Sequence, residues 1–214
     1  MSFTIIVLYV YYIFMSEDQI FYPPIGISGA ARAGKDTLCR ALIRYFNTIN
    51  IKAVRKSIAG DAVKTDLKDV LLTKFTIDAF TENTETKEFM RPFLVEYGKM
   101  QRAKTKGRYF IDGFVPETNA VNILPDIRYV EYPKDEVYWL KNEVKGLLIF
   151  IKRKGILDAN DTEKVNNKII SNMADHIVEW DSLDENESQD LFLIDSYAKN
   201  IVDNYYLPLT NRTA

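Results

Sequence analysis

The chain has 214 residues, 47% of them hydrophobic and 27% charged, with a net charge of −2. That length accommodates one well-buried domain rather than two, and the composition excludes a disordered chain. The near-neutral charge excludes a protein that grips nucleic acid with its whole surface, and the single cysteine, Cys39, excludes an internal disulfide and points to a reducing, cytoplasmic setting.

Residues 3–14, FTIIVLYVYYIF, are apolar apart from Thr4 and the tyrosine hydroxyls. The run is shorter than the roughly 20 residues of a membrane-spanning helix. It also lacks the basic segment and cleavage site of a signal peptide. Residues 1–14 therefore read as an upstream extension of the reading frame, with the functional chain, one domain over 15–214, starting at Met15. An interfacial or partner-binding anchor is the alternative.

The apolar run 24–28 reads as a strand, and Leu38, Ala41, Leu42, Tyr45, Phe46 and Ile49 then recur at helical spacing. Cys39 falls inside that helix as a small core residue. A second strand is expected over 51–59, and a helix over 61–75 with Val63, Leu67, Val70 and Leu71 as its apolar positions. Residues 76–87 read as a loop. Pro92 suits a first helical position, so a helix is expected to start there and reach 104. Residues 107–119 remain unassigned. A strand over 120–124 runs into Pro125 and Asp126, a helix covers 133–144, and the continuous apolar run 146–151 has the character of a strand buried on both faces. Asn160 and Glu163 form a capping box for a helix that should reach about Trp180, with Val165, Ile169, Met173 and Ile177 along one side. A last strand over 190–195 precedes a C-terminal helix over 196–207. Strands alternating with helices imply an α/β fold, a central parallel sheet of about five strands with helices on both faces, and a ligand site beyond the carboxyl ends of the strands.

The segment between the first strand and its helix, 29-GAARAGKDT-37, has the Gly-x-x-x-x-Gly-Lys spacing of a phosphate-binding loop. Gly29 and Gly34 allow tight bends and close approach of phosphate oxygens to the amides of Ala30, Ala31, Arg32 and Ala33. The helix beginning at Lys35 directs its N-terminal dipole at the same spot. Lys35 is suited to the β- and γ-phosphates of a nucleotide. Asp36 stands where a hydroxyl usually binds Mg²⁺; its carboxylate is also a hard-oxygen ligand, and Thr37 offers a hydroxyl one residue on, so the metal ligand is Asp36 or Thr37.

The Gly-Lys-Asp-Thr string resembles the P-loop deoxynucleoside monophosphate kinases of tailed bacteriophages and related viruses. Further segments are similar in the same order: 61-DAVK-64, 87-KEFMRPFLVEYGKMQR-102, 125-PDIRYVEY-132 and 176-HIVE-179. The resemblance spans most of residues 25–207. The chain departs from it in Ala30, Ala31 and Ala33, where relatives usually carry another glycine, and in Pro92 directly after Arg91. The resemblance implies a P-loop NTPase fold and transfer of the γ-phosphoryl group of ATP, with Mg²⁺, to a deoxynucleoside monophosphate, giving ADP and a deoxynucleoside diphosphate for viral DNA synthesis. It implies that Lys64, Arg91, Gly98, Arg102, Asp126, Arg128, His176 and Glu179 line the acceptor pocket, and that Arg128 and Arg153 assist Lys35 in catalysis. It implies a small-molecule partner without a stable nucleic-acid complex, and leaves a homodimer open. Two alternatives stand beside it: a kinase of a modified pyrimidine, free or within DNA held on 99-KMQRAKTKGRYF-110, and a nucleotide-binding switch without turnover.

Overall fold

The computed structural model describes residues 20–158 and 160–210; the expectations for residues 1–14 and Met15 lie outside them. Five parallel strands form one sheet in the order β2-β3-β1-β4-β5. They are β1 (Ile25–Gly29), β2 (Ala53–Arg55), β3 (Val121–Leu124), β4 (Leu147–Arg153) and β5 (His176–Trp180). Between and after them run α1 (Lys35–Thr48), α2 (Gly60–Phe75), α3 (Thr84–Thr105), α4 (Tyr109–Asp112), α5 (Glu136–Tyr138), α6 (Asp161–Met173), α7 (Ser188–Ile201) and α8 (Leu207–Thr210). The α/β class, the parallel pairing and the helices on both faces are as the sequence implies. Among the described residues no helix is long and apolar enough to cross a membrane.

Alternation along the strands builds a core on each face. Ile25, Ile27, Ile149 and Ile151 meet Leu38, Leu42 and Phe46 of α1 and Ile194, Ala198 and Ile201 of α7. On the other face Leu124, Leu148 and Phe150 meet Val63, Leu67 and Leu71 of α2, Met90 of α3 and Ile170 of α6. Each fully buried Ile, Leu or Phe contributes about 1.5–3 kcal/mol. Tyr206 closes the first core at its lower end, edge-on to Phe46 at 5.2 Å, with its hydroxyl donating to the Pro23 carbonyl at 2.9 Å.

Several expected elements are corrected. The third helix does not start at Pro92; it starts at Thr84, capped by Asn83, whose side chain accepts from the Thr86 amide at 2.9 Å. A proline inside a helix costs about 3 kcal/mol. Here the cap and the buried Met90 favour the longer helix, and the exposed Glu88, whose carbonyl loses its donor, lies in water. The helix capped by Asn160 ends at Met173, and 176–180 is an edge strand. Asp175 starts its ladder, with its amide donating to the Leu148 carbonyl at 2.8 Å and its carboxylate accepting from the Leu148 amide at 2.9 Å. The apolar stripe of Val165, Ile169 and Met173 is exposed, and α6 buries Asn166, Asn167 and Ile170 instead. Residues 190–195 are helical, because Ile194, Ala198 and Ile201 form a seam on α1 that outweighs their local alternation. The second strand shortens to Ala53–Arg55, since Ile58 and Ala59 turn away to Asp126. The helix expected over 133–144 starts at Glu136 behind its Asp135 cap and finishes as a π turn over Trp139–Glu143.

Cys39 is fully buried, and burial pushes its thiol up to about 12. It should therefore resist a thiol-specific reagent in the native protein and react at once in denaturant; rapid labelling of the folded chain would contradict this packing.

Candidate functional site

β1 is flanked by β3 and β4 and buried along its whole length, so the chain leaving it emerges at the centre of the sheet's carboxyl edge. There Gly29, Arg32 and Gly34 take positive φ values of 141°, 62° and 99°, wrapping residues 29–34 into a loop ahead of α1. The Lys35 ammonium folds back to donate to the Gly29 and Ala30 carbonyls, both at 2.7 Å. Other elements brace the same loop. The Trp180 indole donates to the Ala33 carbonyl at 2.9 Å, Arg153 to the Arg32 carbonyl at 3.0 Å, and the Ala31 amide to the Glu163 carboxylate at 3.0 Å. Gly34 is required by its φ and by its neighbour, because a Cβ there would lie 2.6 Å from the Trp180 ring.

Burial, and after it the Arg128 charge, lower the Lys35 pKa to about 8 against the upward pull of Glu163, Asp36 and Asp126. A partly desolvated ammonium among backbone donors at a helix N-terminus suits an anion carrying several charges.

Asp36 and Thr37 point apart. Asp36 is exposed and pairs with Arg55 at 3.1 Å, at the end of β2. The Thr37 hydroxyl donates to Glu185 and accepts from Arg40, both at 3.3 Å, on the side of α7. Among the described residues no group of three or more His, Cys, Asp or Glu side chains converges on one point. The donor set thus does not fit a metal caged by protein. It fits a hydrated Mg²⁺ shared with phosphate, which needs only one or two carboxylates; Asp36, exposed and held only by Arg55, could serve it on leaving that ion pair.

At the end of β3, Asp126 accepts from the Ser57 hydroxyl at 2.6 Å and the Ile58 amide at 3.1 Å, and so anchors the entry into α2. Arg128 is exposed, and neither its guanidinium nor that of Arg32 has a hydrogen-bond or ion-pair partner among the described residues. The Arg128 amide is held by Glu136 at 2.7 Å. Burial pushes the Glu136 carboxyl upward against the pull of Arg102.

The remaining expected residues divide. Arg153 lies beside the loop, also donating to the Ser182 hydroxyl at 2.6 Å. Lys64 stands over the Phe80 ring at 5.6 Å, and Arg91 is exposed and pairs with Glu88 at 2.7 Å. Arg102 departs from the expectation of a phosphate-holding fork. It is 4% exposed, its guanidinium is clasped by Asp135 at 2.6 and 3.0 Å, and it stacks on Tyr129 at 3.6 Å. Gly98 faces Val63 at ordinary contact distance, not an open ligand space. His176 and Glu179 do not share a face, because three residues along a strand reverses the side. His176 stands at the amino end of β5, away from the loop, stacked on Tyr205 at 4.3 Å, and burial lowers its pKa. Glu179 lies at the carboxyl end and pairs with Lys152 at 3.1 Å.

Sequence reading missed Glu163, Trp180, Asp135 and Glu136. In the sequence Glu163 signals only half of a capping box, whereas its carboxylate reaches the Ala31 amide. The Trp180 signal, a large aromatic ending a β-branched run, was hidden by assigning that run to a helix. A cavity of about 520 Å³ opens between the carboxyl ends of β4 and β5 and α7, lined among others by Arg153, Glu179, Trp180, Ser182 and Tyr197.

Gly34→Ala should force the Trp180 ring off the Ala33 carbonyl, changing the indole emission and lowering the melting temperature. A variant with the wild-type spectrum and melting temperature would show that the contact does not constrain the loop. No protein-family model and no curated protein matches this chain.

Proposed function

We propose that the chain transfers the γ-phosphoryl group of ATP to the phosphate of a deoxynucleoside monophosphate, giving ADP and a deoxynucleoside diphosphate. The observation that carries this reading is the braced loop at the end of β1, with the half-buried Lys35 near enough to the unpartnered Arg128 to feel its charge. An ATP hydrolase or switch needs only the loop; a second free cation near it suits a second phosphate.

In this mechanism Lys35 exchanges the Gly29 and Ala30 carbonyls for β- and γ-phosphate oxygens, while the amides of the loop and the first turn of α1 hold the chain of phosphates. Bound Mg²⁺ would neutralise charge on the transferring group, with Asp36 as its protein ligand. Arg32 and Arg128 would neutralise charge on the γ-phosphoryl group, and Arg153 fixes the loop through the Arg32 carbonyl. The cavity beside Trp180 takes the donor base. Lys64 and Arg91 orient the acceptor phosphate, for which Arg91 has to leave Glu88. The attacking phosphate oxygen is already ionised, so no general base is needed, and catalysis comes from alignment and charge neutralisation. The setting that follows is supply of DNA precursors in the cytoplasm of a virus-infected cell. The rival in which a DNA strand stacks on 99–110 is disfavoured, because Phe110 is buried and Arg108 is tied to Asp112 and Glu143.

The full chain with ATP and Mg²⁺ should release ADP when offered at least one of the four deoxynucleoside monophosphates, and Lys35→Ala should abolish that release. ADP release only with modified pyrimidines or duplex DNA would move the acceptor; ATP binding without ADP release under any condition would reduce the chain to a switch.

Because Lys35 sits at about 8 in the free protein and bound phosphate would raise it, ATP binding takes up a proton above that pH. The kcat/KM for ATP should therefore be level below pH 8 and fall by up to about tenfold per unit above it. A level profile to pH 9.5 would contradict the assigned contact.

A further inference from the structure

Arg128 owes its place to groups that never reach solvent. The Glu136 carboxylate accepts from the Arg128 and Tyr129 amides at 2.7 and 3.1 Å, and Asp135 accepts from the Glu131 and Tyr132 amides at 3.1 and 3.3 Å. Both carboxylates are 1% exposed. Arg102 of α3 joins them, clasping Asp135, reaching the other Glu136 oxygen at 3.4 Å and stacking on Tyr129. Gly107 lets the chain leaving α3 pass close by: its φ is +87°, and a Cβ there would lie 2.8 Å from the Asp135 carboxylate.

Stability alone is a weak reason for such a cluster. Burying two carboxylates with one guanidinium carries a desolvation cost that apolar side chains of the same volume avoid. The cluster instead fixes geometry. The backbone of 128–132 has no strand or helix ladder of its own, and the buried carboxylates stand in for one while leaving the Arg128 guanidinium untied.

We propose that Glu136 is a positioning residue for Arg128, forming with Asp135 and Arg102 a buried clamp that links α3 to the cation near Lys35. The proposal rests on the phosphoryl-transfer reading for its kinetic consequence, but the clamp itself is measurable without a substrate. Glu136→Gln keeps the side-chain shape and replaces one of its two acceptor oxygens by an amide donor; Arg102→Lys keeps the charge and removes the fork, and serves if the first variant does not fold.

Two measurements on the full chain test it. In hydrogen exchange, the Arg128 and Tyr129 amides should exchange at least about tenfold faster in the variant than in the wild type, while β1 amides are unchanged. In a double-mutant cycle read by ADP release, Glu136→Gln and Arg128→Ala should each lower kcat by about tenfold or more with little change in KM for ATP, and the double variant should be no slower than Arg128→Ala alone. Unchanged exchange at Arg128 and Tyr129, or additive losses in the cycle, would overturn the clamp. Should the wild type release no ADP with any monophosphate, the phosphoryl-transfer reading fails on its own, and the exchange rates alone decide for or against the clamp.

Discussion

The central strand is buried on both faces and paired on both edges, so its backbone can turn only once it clears the sheet, at Gly29. Everything distinctive about the site follows from that exit. The turn that emerges cannot be paid for by strand pairing, and its polar groups are taken up by side chains arriving from β4, β5 and α6: Arg153, Trp180 and Glu163. Lys35 completes the set by folding onto the two carbonyls at the loop's start. A loop held at so many points keeps its shape without a ligand, which limits the ordering entropy lost when an anion binds.

The cations of the site fall into two groups by what they touch. Arg102, Arg108 and Arg55 are committed to carboxylates and hold elements together. Arg32 and Arg128 are committed to nothing among the described residues, although the second has its backbone secured. A chain with 28 Lys and Arg against 30 Asp and Glu has carboxylates enough to pair most of its cations. A guanidinium left unpaired at the carboxyl edge of a parallel sheet, next to a lysine whose charge it already disfavours, is poised to lower its energy by meeting an anion.

The sheet, its parallel sense and the loop were legible in the sequence because each rests on local chemistry: continuous apolar runs, two glycines at fixed spacing, and an amphipathic helix directly after. What was misread depends on contacts distant in the chain. His-Ile-Val-Glu-Trp continues a helical period by coincidence, and only pairing with β4 makes it a strand. Asp-Leu-Phe-Leu-Ile-Asp alternates like a strand, and only the seam against α1 makes it helical. Among candidate site residues, Lys35 is legible through the loop spacing, and Arg128 and Arg153 through their position at or after the end of a strand. Arg102 and His176 carried the right chemistry in positions that burial and strand polarity put to other uses.

Pro92 gives α3 two mechanically unequal halves. The half after it is anchored by Arg102 to the carboxylates beside Arg128, whereas the half before it carries Arg91 on an exposed surface. Between them the hydrogen-bond ladder is one rung short, since proline has no amide to donate, and a helix bends most easily at such a gap. The Arg91 end can therefore bend at Pro92 only by pivoting on Met90, which stays in the core, while the Arg102 end is tied to Asp135.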